Sequence, residues 1–205
     1  MKRLTAALLA AALMTPAFAY TVDQVDITAT VGDGSKQAIG VIDFGVKSFA
    51  FAYQWETGAP TSETMLLALH DANIGLTLDY SPSAWGIFVN VFTYFDGTTT
   101  YVLESDGTDW PMFWVSGHGG YTEDLWDWDT GSFLGENIVP ADTTGDGENW
   151  SMPTMGVSAV KLIDGGFSGW ALGDAVPSTP VVPEPTTMSL LALAALGLLK
   201  RRAAR

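Results

Sequence analysis

The chain predicts an α+β fold that is mainly β: a single antiparallel-sheet domain with one packed helix, bounded by an apolar segment at each end. Three observations predict it. Short runs of aromatic and β-branched residues recur between turns rich in Gly and Asp. One stretch alone repeats leucine and methionine at helical spacing. A chain of 205 residues, 47% of them hydrophobic, fills one core of ordinary size and leaves little for a second.

Residues 1–19 read as a signal peptide. Lys2 and Arg3 form the charged start, residues 4–14 the apolar stretch, and Pro16 breaks the helix. Ala17-Phe18-Ala19 follows as a small-x-small cleavage site, with Ala17 and Ala19 at the small positions. A buried helix would be amphipathic, whereas this one is apolar all round. Signal peptidase is therefore the first expected processing partner, and the mature chain starts at Tyr20.

The β-rich domain is expected over residues 20–175. Val25, Ile27, Ala29 and Val31 alternate with polar residues before a turn at Gly32-Asp33-Gly34. Residues 41–44 and 49–55 flank Gly45-Val46-Lys47-Ser48 as a hairpin. In the second arm Phe49, Phe51, Tyr53 and Trp55 share one face, and Ala50, Ala52 and Gln54 the other. Pro60 with Thr61 or Ser62 opens the helix, Met65, Leu66 and Leu69 form its apolar stripe, and Asn73-Ile74-Gly75 closes it. A charged His70 in its last turn would complement the helix dipole.

Strand signals return over residues 85–95. Ile87, Val89 and Val91 alternate there against Phe88, Phe92 and Tyr94, so both faces are expected to be covered. Asp96-Gly97 turns this strand into residues 99–103. Residues 112–115 and 157–163 are shorter strands, Asp164-Gly165-Gly166 is a turn, and Trp170-Ala171-Leu172 is the last strand. Residues 116–156, rich in glycine and acids, read as loop.

The first hairpin is followed by Thr61-Ser62-Glu63-Thr64-Met65-Leu66-Leu67-Ala68-Leu69. Then come the aromatic strand Trp110-Pro111-Met112-Phe113-Trp114-Val115-Ser116-Gly117 and the 156–165 segment with its Asp164-Gly165 turn. That order is similar to the β-grasp modules of cobalamin carriers such as transcobalamin. The likeness implies a β-grasp-like fold, departs from it over 116–156, and maps no ligand-contact residue.

Residues 176–187 form a linker with Pro177, Pro180, Pro183 and Pro185, expected to be extended and solvated. Residues 188–199 are a hydrophobic helix, and residues 200–205 are a tail carrying Lys200, Arg201, Arg202 and Arg205. Twelve helical residues span about 18 Å, short against a hydrocarbon core of about 30 Å. The basic tail would stay in the cytoplasm.

The order Pro183-Glu184-Pro185, hydrophobic helix, arginine-rich end resembles the PEP-CTERM sorting signal of Gram-negative bacteria. The resemblance implies an exosortase as partner, which cuts near the motif. By the same resemblance the protein would be inner-membrane-anchored by its C-terminal helix before processing, then at the cell surface or extracellular. Such proteins often occur in strains making extracellular polysaccharide, a further expected partner.

Between the two ends only Lys36, Lys47 and Lys161 are basic, and no arginine is present. Against 22 acids this leaves a charge of about −19. Nothing there could neutralise phosphates, which excludes nucleic acid. The absence of cysteine excludes a disulfide scaffold, a thiol nucleophile and Cys-ligated metal.

Counted from Asp142 as position one of a calcium loop, Thr144 stands at three, Asp146 at five and Gly147 at six, with Glu148 just beyond. Position twelve is Pro153, where a bidentate glutamate belongs. The stretch reads either as a weak calcium site or as a solvated turn. Trp126, Asp127, Trp128 and Asp129 combine aromatic faces with acids, as lectin-like sites do, or else cap a small core beneath a long loop.

His70 and His118 lie far apart, His118 in a glycine-rich stretch expected to be flexible. The chain has no Gly-x-Ser-x-Gly, no His-Glu-x-x-His and no phosphate-binding glycine loop. The expectation is a non-enzymatic structural or interaction protein of the cell surface or matrix. The alternative is a small-ligand or glycan-binding module on the same sorting tail.

Overall fold

A computed structural model describes residues 21–83, 86–127, 130, 132–143 and 145–182. The signal peptide, the helix over 188–199 and the basic tail lie outside the described residues. Among those residues no helix is long and apolar enough to cross a membrane.

Strand β1 (Ile27–Gly32) alternates in burial as its sequence does. β2 (Lys36–Asp43) and β3 (Ser48–Trp55) form the expected hairpin, in register from Asp43 opposite Ser48 to Lys36 opposite Trp55. The turn at Gly32-Asp33-Gly34 exists, but β1 does not pair with β2. β3 inserts between them and runs parallel to β1. The turn must therefore arch over the end of β3. A Cβ on Gly32 would stand 2.2 Å from the Gln54 carbonyl oxygen, and one on Gly34 would stand 2.1 Å from the Trp55 carbonyl carbon. Both glycines hold positive φ, +80° and +143°, so they serve conformation and clearance together.

Helix α1 (Ser62–Asp71) follows. Thr61 caps it, its hydroxyl accepting the Thr64 amide at 3.3 Å, while the Thr64 hydroxyl accepts the Thr61 amide. Met65, Leu66 and Leu69 are fully buried. Asn73 takes a left-handed conformation, φ 53°, and ends the helix as its sequence predicts.

β4 (Leu76–Ser83), β5 (Gly86–Phe95) and β6 (Thr100–Glu104) make an antiparallel sheet with β5 in the centre. Trp85 lies outside the described residues. The expectation that both faces of β5 are covered fails. Asp79 faces Val91 and Tyr80 faces Val89, so Asn90 is an extra residue, a β-bulge. The bulge resets the alternation and puts Ile87, Val89, Phe92 and Tyr94 on one face. Phe88 and Phe95 are about half exposed on the other. Asp96 closes the β5–β6 turn by accepting the Thr98 and Thr99 amides at 3.0 and 2.8 Å.

β7 (Pro111–Ser116) and β10 (Phe167–Leu172) complete a five-stranded sheet in the order β1-β3-β2-β10-β7. β10 runs parallel to β2 and antiparallel to β7. The single antiparallel sheet of the sequence reading is thus corrected to a mixed five-stranded sheet, a three-stranded sheet and a two-stranded hairpin. That hairpin, β8 (Tyr121–Asp127) with β9 (Ser132–Val139), occupies part of the expected 116–156 loop.

Residues 157–163, expected to be a strand, form turns and one isolated bridge from Lys161 to Thr61. Their backbone is used otherwise. The carbonyls of Val160 and Val157 accept the Ser62 and Glu63 amides at 3.1 and 3.0 Å, and the Leu162 amide reaches the Pro60 carbonyl at 2.8 Å. Those carbonyls satisfy the free N–H groups of the first helical turn. The strand pair that carried the β-grasp resemblance is therefore absent at this place.

The main core lies between the five-stranded and three-stranded sheets and takes in α1. Phe49, Phe51 and Trp55 point into it from β3, and Trp170 from β10. The opposite face of the five-stranded sheet carries small side chains, Ala50 and Ala52 beside Ile39 and Val41. Instead of another sheet, isolated chain segments cover it.

Candidate functional site

One covering segment leads to the C-terminus. Residues 176–182 carry two prolines, which lack the N–H that a central strand needs. They were expected to be solvated, yet they form a strap laid on the small-residue face. Pro177 is buried, and a Cβ on Gly169 of β10 would come within 2.8 Å of its Cγ and of the Trp150 ring. Glycine at 169 is what lets the strap approach so closely.

The non-proline donors fix the strap's course. The Ser178 amide donates to Asp43 Oδ2 at 2.9 Å, and the Thr179 hydroxyl to the Gly147 carbonyl at 2.5 Å. Asp43 Oδ1 accepts the Gly45 amide at 2.8 Å, so one carboxylate holds both the β2–β3 turn and the strap. Val181 then faces Val25 in an isolated antiparallel bridge. The Asp26 amide donates to the Pro180 carbonyl and the Val182 amide to the Gln24 carbonyl, both at 2.9 Å. The beginning and the end of the described chain are thereby paired.

Asp142 pairs through its backbone with His118. The His118 amide donates to the Asp142 carbonyl at 2.6 Å, and the return bond is 2.8 Å. Asp146 Oδ1 accepts the Asn149 amide at 2.8 Å, the Glu148 amide at 3.0 Å and the Ser116 hydroxyl at 3.0 Å. Asn149 Nδ2 donates to Asp146 Oδ2. Burial pushes the Asp146 carboxyl up, but these donors outweigh it and hold it below the usual carboxylate range. A cation at Asp146 would have to displace protein donors already in place. Thr144 lies outside the described residues, and no group of three or more His, Asp or Glu among those residues is placed to hold a metal.

His118 does not sit in a flexible loop. It is buried, its Nδ1 accepts the Gly120 amide at 3.1 Å, and its ring lies 5.2 Å from that of Tyr121. Burial lowers its imidazole below the ordinary histidine range, with the charge of Asp142 opposing. The unfolded chain takes up this proton near pH 6.5 and the folded chain only at lower pH. Stability from this group is therefore complete above about pH 7 and declines as pH falls through about 6.5. Denaturation midpoints at pH 7.5 and 5.5 are expected to fall further in the wild type than in His118→Gln. Equal losses would remove His118 as the cause.

His70 is likewise occupied. Its Nδ1 accepts the Leu78 amide at 3.1 Å, and the ring ties α1 to β4. His70 stands in the last turn of α1, as the sequence predicts. Trp126 and Asp127 end β8 opposite Phe133 and Ser132, next to a register shift after Leu125. Trp128 and Asp129 lie outside the described residues, as do Ala17, Ala19, Pro183, Glu184 and Pro185.

An open polar cleft of about 540 Å³ runs beside the strap, lined among others by Asp26, Lys47, Asp96 and Ser178. Lys47 Nζ lies 4.0 Å from Asp96 Oδ2 and 4.6 Å from the centre of the Phe49 ring.

The family model of the PEP-CTERM protein-sorting motif matches residues 181–203. The chain carries a PEP-CTERM sorting motif. Comparison with curated proteins and with solved structures finds no match. The likeness of the middle to cobalamin-carrier modules thus gains no support. The PEP-CTERM motif implies a protein targeted to an exosortase, membrane-anchored and then secreted or held at the cell surface. Its first two matched residues, Val181 and Val182, are the ones bridged to Val25 and Gln24. The chain's functional address therefore begins inside the folded domain, a junction that proline content alone did not reveal.

Proposed function

We propose that this chain is an exported, non-enzymatic protein of the bacterial cell surface or extracellular matrix. Signal peptidase would process one end and exosortase the other. The PEP-CTERM motif at residues 181–203 is the observation that carries the reading. Three bases against 22 acids between the processed ends support a solvated, self-repelling surface module. Backbone hydrogen bonds occupy Nδ1 of both histidines, which favours a structural role over acid–base chemistry. A small-ligand or glycan-binding role is the second reading, and the polar cleft beside Lys47 and Asp96 favours it.

Mass spectrometry of the protein from surface and medium fractions of an exosortase-bearing host tests the proposal. The expected product starts at Tyr20 and lacks residues 200–205. In an exosortase-deleted strain the same antibody should find a longer, membrane-associated form. An intact Arg205 in surface fractions of the competent host would defeat the reading.

A further inference from the structure

The strap and the sorting motif overlap at Val181 and Val182. We propose that docking of residues 176–182 gates exosortase access: the docked strap withholds the amino-terminal flank of the motif, and its release presents it. The inference rests on the exosortase reading above and adds to it the regulation of that step.

Enzymes that act on a peptide bond commonly hold the substrate as an extended strand through its main-chain groups. Here the Pro180 carbonyl and the Val182 amide are already spent on Asp26 and Gln24, at the residues where the matched motif begins. A second protein cannot use them until the strap leaves. Release is also a low-cost opening. The strap is a short segment at the edge of the domain held by one isolated bridge, two side-chain hydrogen bonds and the packing of Pro177, and such segments open at lower free energy than the core. Docking still has a cost to undo, because Val25 is buried with Phe167, Ala50 and Ala52 on the face the strap helps to cover. The element therefore has a docked and a released arrangement, and an enzyme that binds only the released one shifts the balance by its differential affinity.

The chain has no cysteine, so a disulfide can be placed without competitors. The bonds on either side of the Val25–Val181 bridge mark it as a non-hydrogen-bonded antiparallel pair, with Cα atoms about 4.5 Å apart, within disulfide reach. The test expresses the full precursor in an exosortase-bearing host and follows loss of the C-terminal end by pulse-chase and mass spectrometry. The Val25→Cys/Val181→Cys protein is compared with each single variant and with Thr179→Ala/Pro177→Ala, which loosens the strap.

Oxidised double-cysteine precursor is expected to be processed about tenfold more slowly or worse, with dithiothreitol restoring the single-variant rate, and the loosened protein should be processed faster than wild type. Processing of the oxidised protein at the wild-type rate, or an unchanged rate in the loosened one, would overturn the gate while leaving the sorting reading intact. A wild type that stays unprocessed in the same host would overturn the sorting reading and the gate with it.

Discussion

Replacing Leu66 or Leu69 by alanine is expected to destabilise the domain by about 2–5 kcal/mol each. Both side chains are fully buried, and both belong to the core that joins α1 to the two sheets. The loss has two parts: the transfer free energy of the removed methyl groups, and the cavity left where neighbours cannot collapse. Collapse is restricted here. The Ser62 hydroxyl is bonded at 2.8 Å to that of Ser168 in β10, and the 157–160 carbonyls hold the first turn, so the helix is pinned at its N-terminal end. Urea denaturation midpoints check this, with Leu67→Ala, at a half-buried position, as the comparison that should lose less. A loss of only a few tenths at Leu66 and Leu69 would mean that α1 is not a core element.

Deleting Thr93 should be nearly as damaging, about 1.5–3 kcal/mol, although the residue itself lies outside the hydrophobic core. The strand beyond it shifts by one position, so Phe92 and Tyr94 can no longer share a face. One of the two turns to solvent, at about 1.5–3 kcal/mol for a large side chain exposed. Deleting Asn90 removes only the extra residue: β5 becomes regular, strict alternation keeps Ile87, Val89, Phe92 and Tyr94 on one face, and the loss should be mild by comparison. Circular dichroism melts separate the two variants. Similar melting points would mean that the bulge at Asn90 does not set the register of β5.

That bulge also shows where sequence reading stops. The alternation of Ile87, Val89 and Val91 against Phe88, Phe92 and Tyr94 implied two covered faces, because one inserted residue is invisible until a partner strand fixes the register. α1 was legible to the residue, since Thr61, the Met65-Leu66-Leu69 stripe and Asn73 are local signals that agree. β4 was missed because Asp79, Ser81 and Pro82 look like loop, although proline is tolerated on an edge strand. β8 and β9 were missed because their charge and glycine hide the pattern of a two-stranded hairpin. Residues 157–163 have strand composition, yet a helix terminus takes their carbonyls, a long-range need that no local window contains.

The site divides in the same way. The sorting motif is a local string and was legible. That its flank is folded onto residues 24–26 depends on Ala50, Ala52 and Gly169 leaving room on a distant face.

β10 occupies an interior position in its sheet, between β2 and β7, yet it is the last strand among the described residues. A polypeptide that crosses a membrane N-terminus first delivers this strand after every other. Until residues 167–172 emerge, β2 lacks one neighbour and β7 lacks its strand partner, so the sheet cannot close. Pairings this distant along the chain are slow to form in any case. When β10 and the strap have emerged, only residues 183–187 separate Val182 from the apolar stretch that starts at Met188. Fully extended, those five residues reach about 18 Å. If that stretch halts translocation, as the proposed anchoring implies, completion of the domain would be confined to the immediate neighbourhood of the bilayer, and whatever guards the unfinished chain from aggregation would operate there.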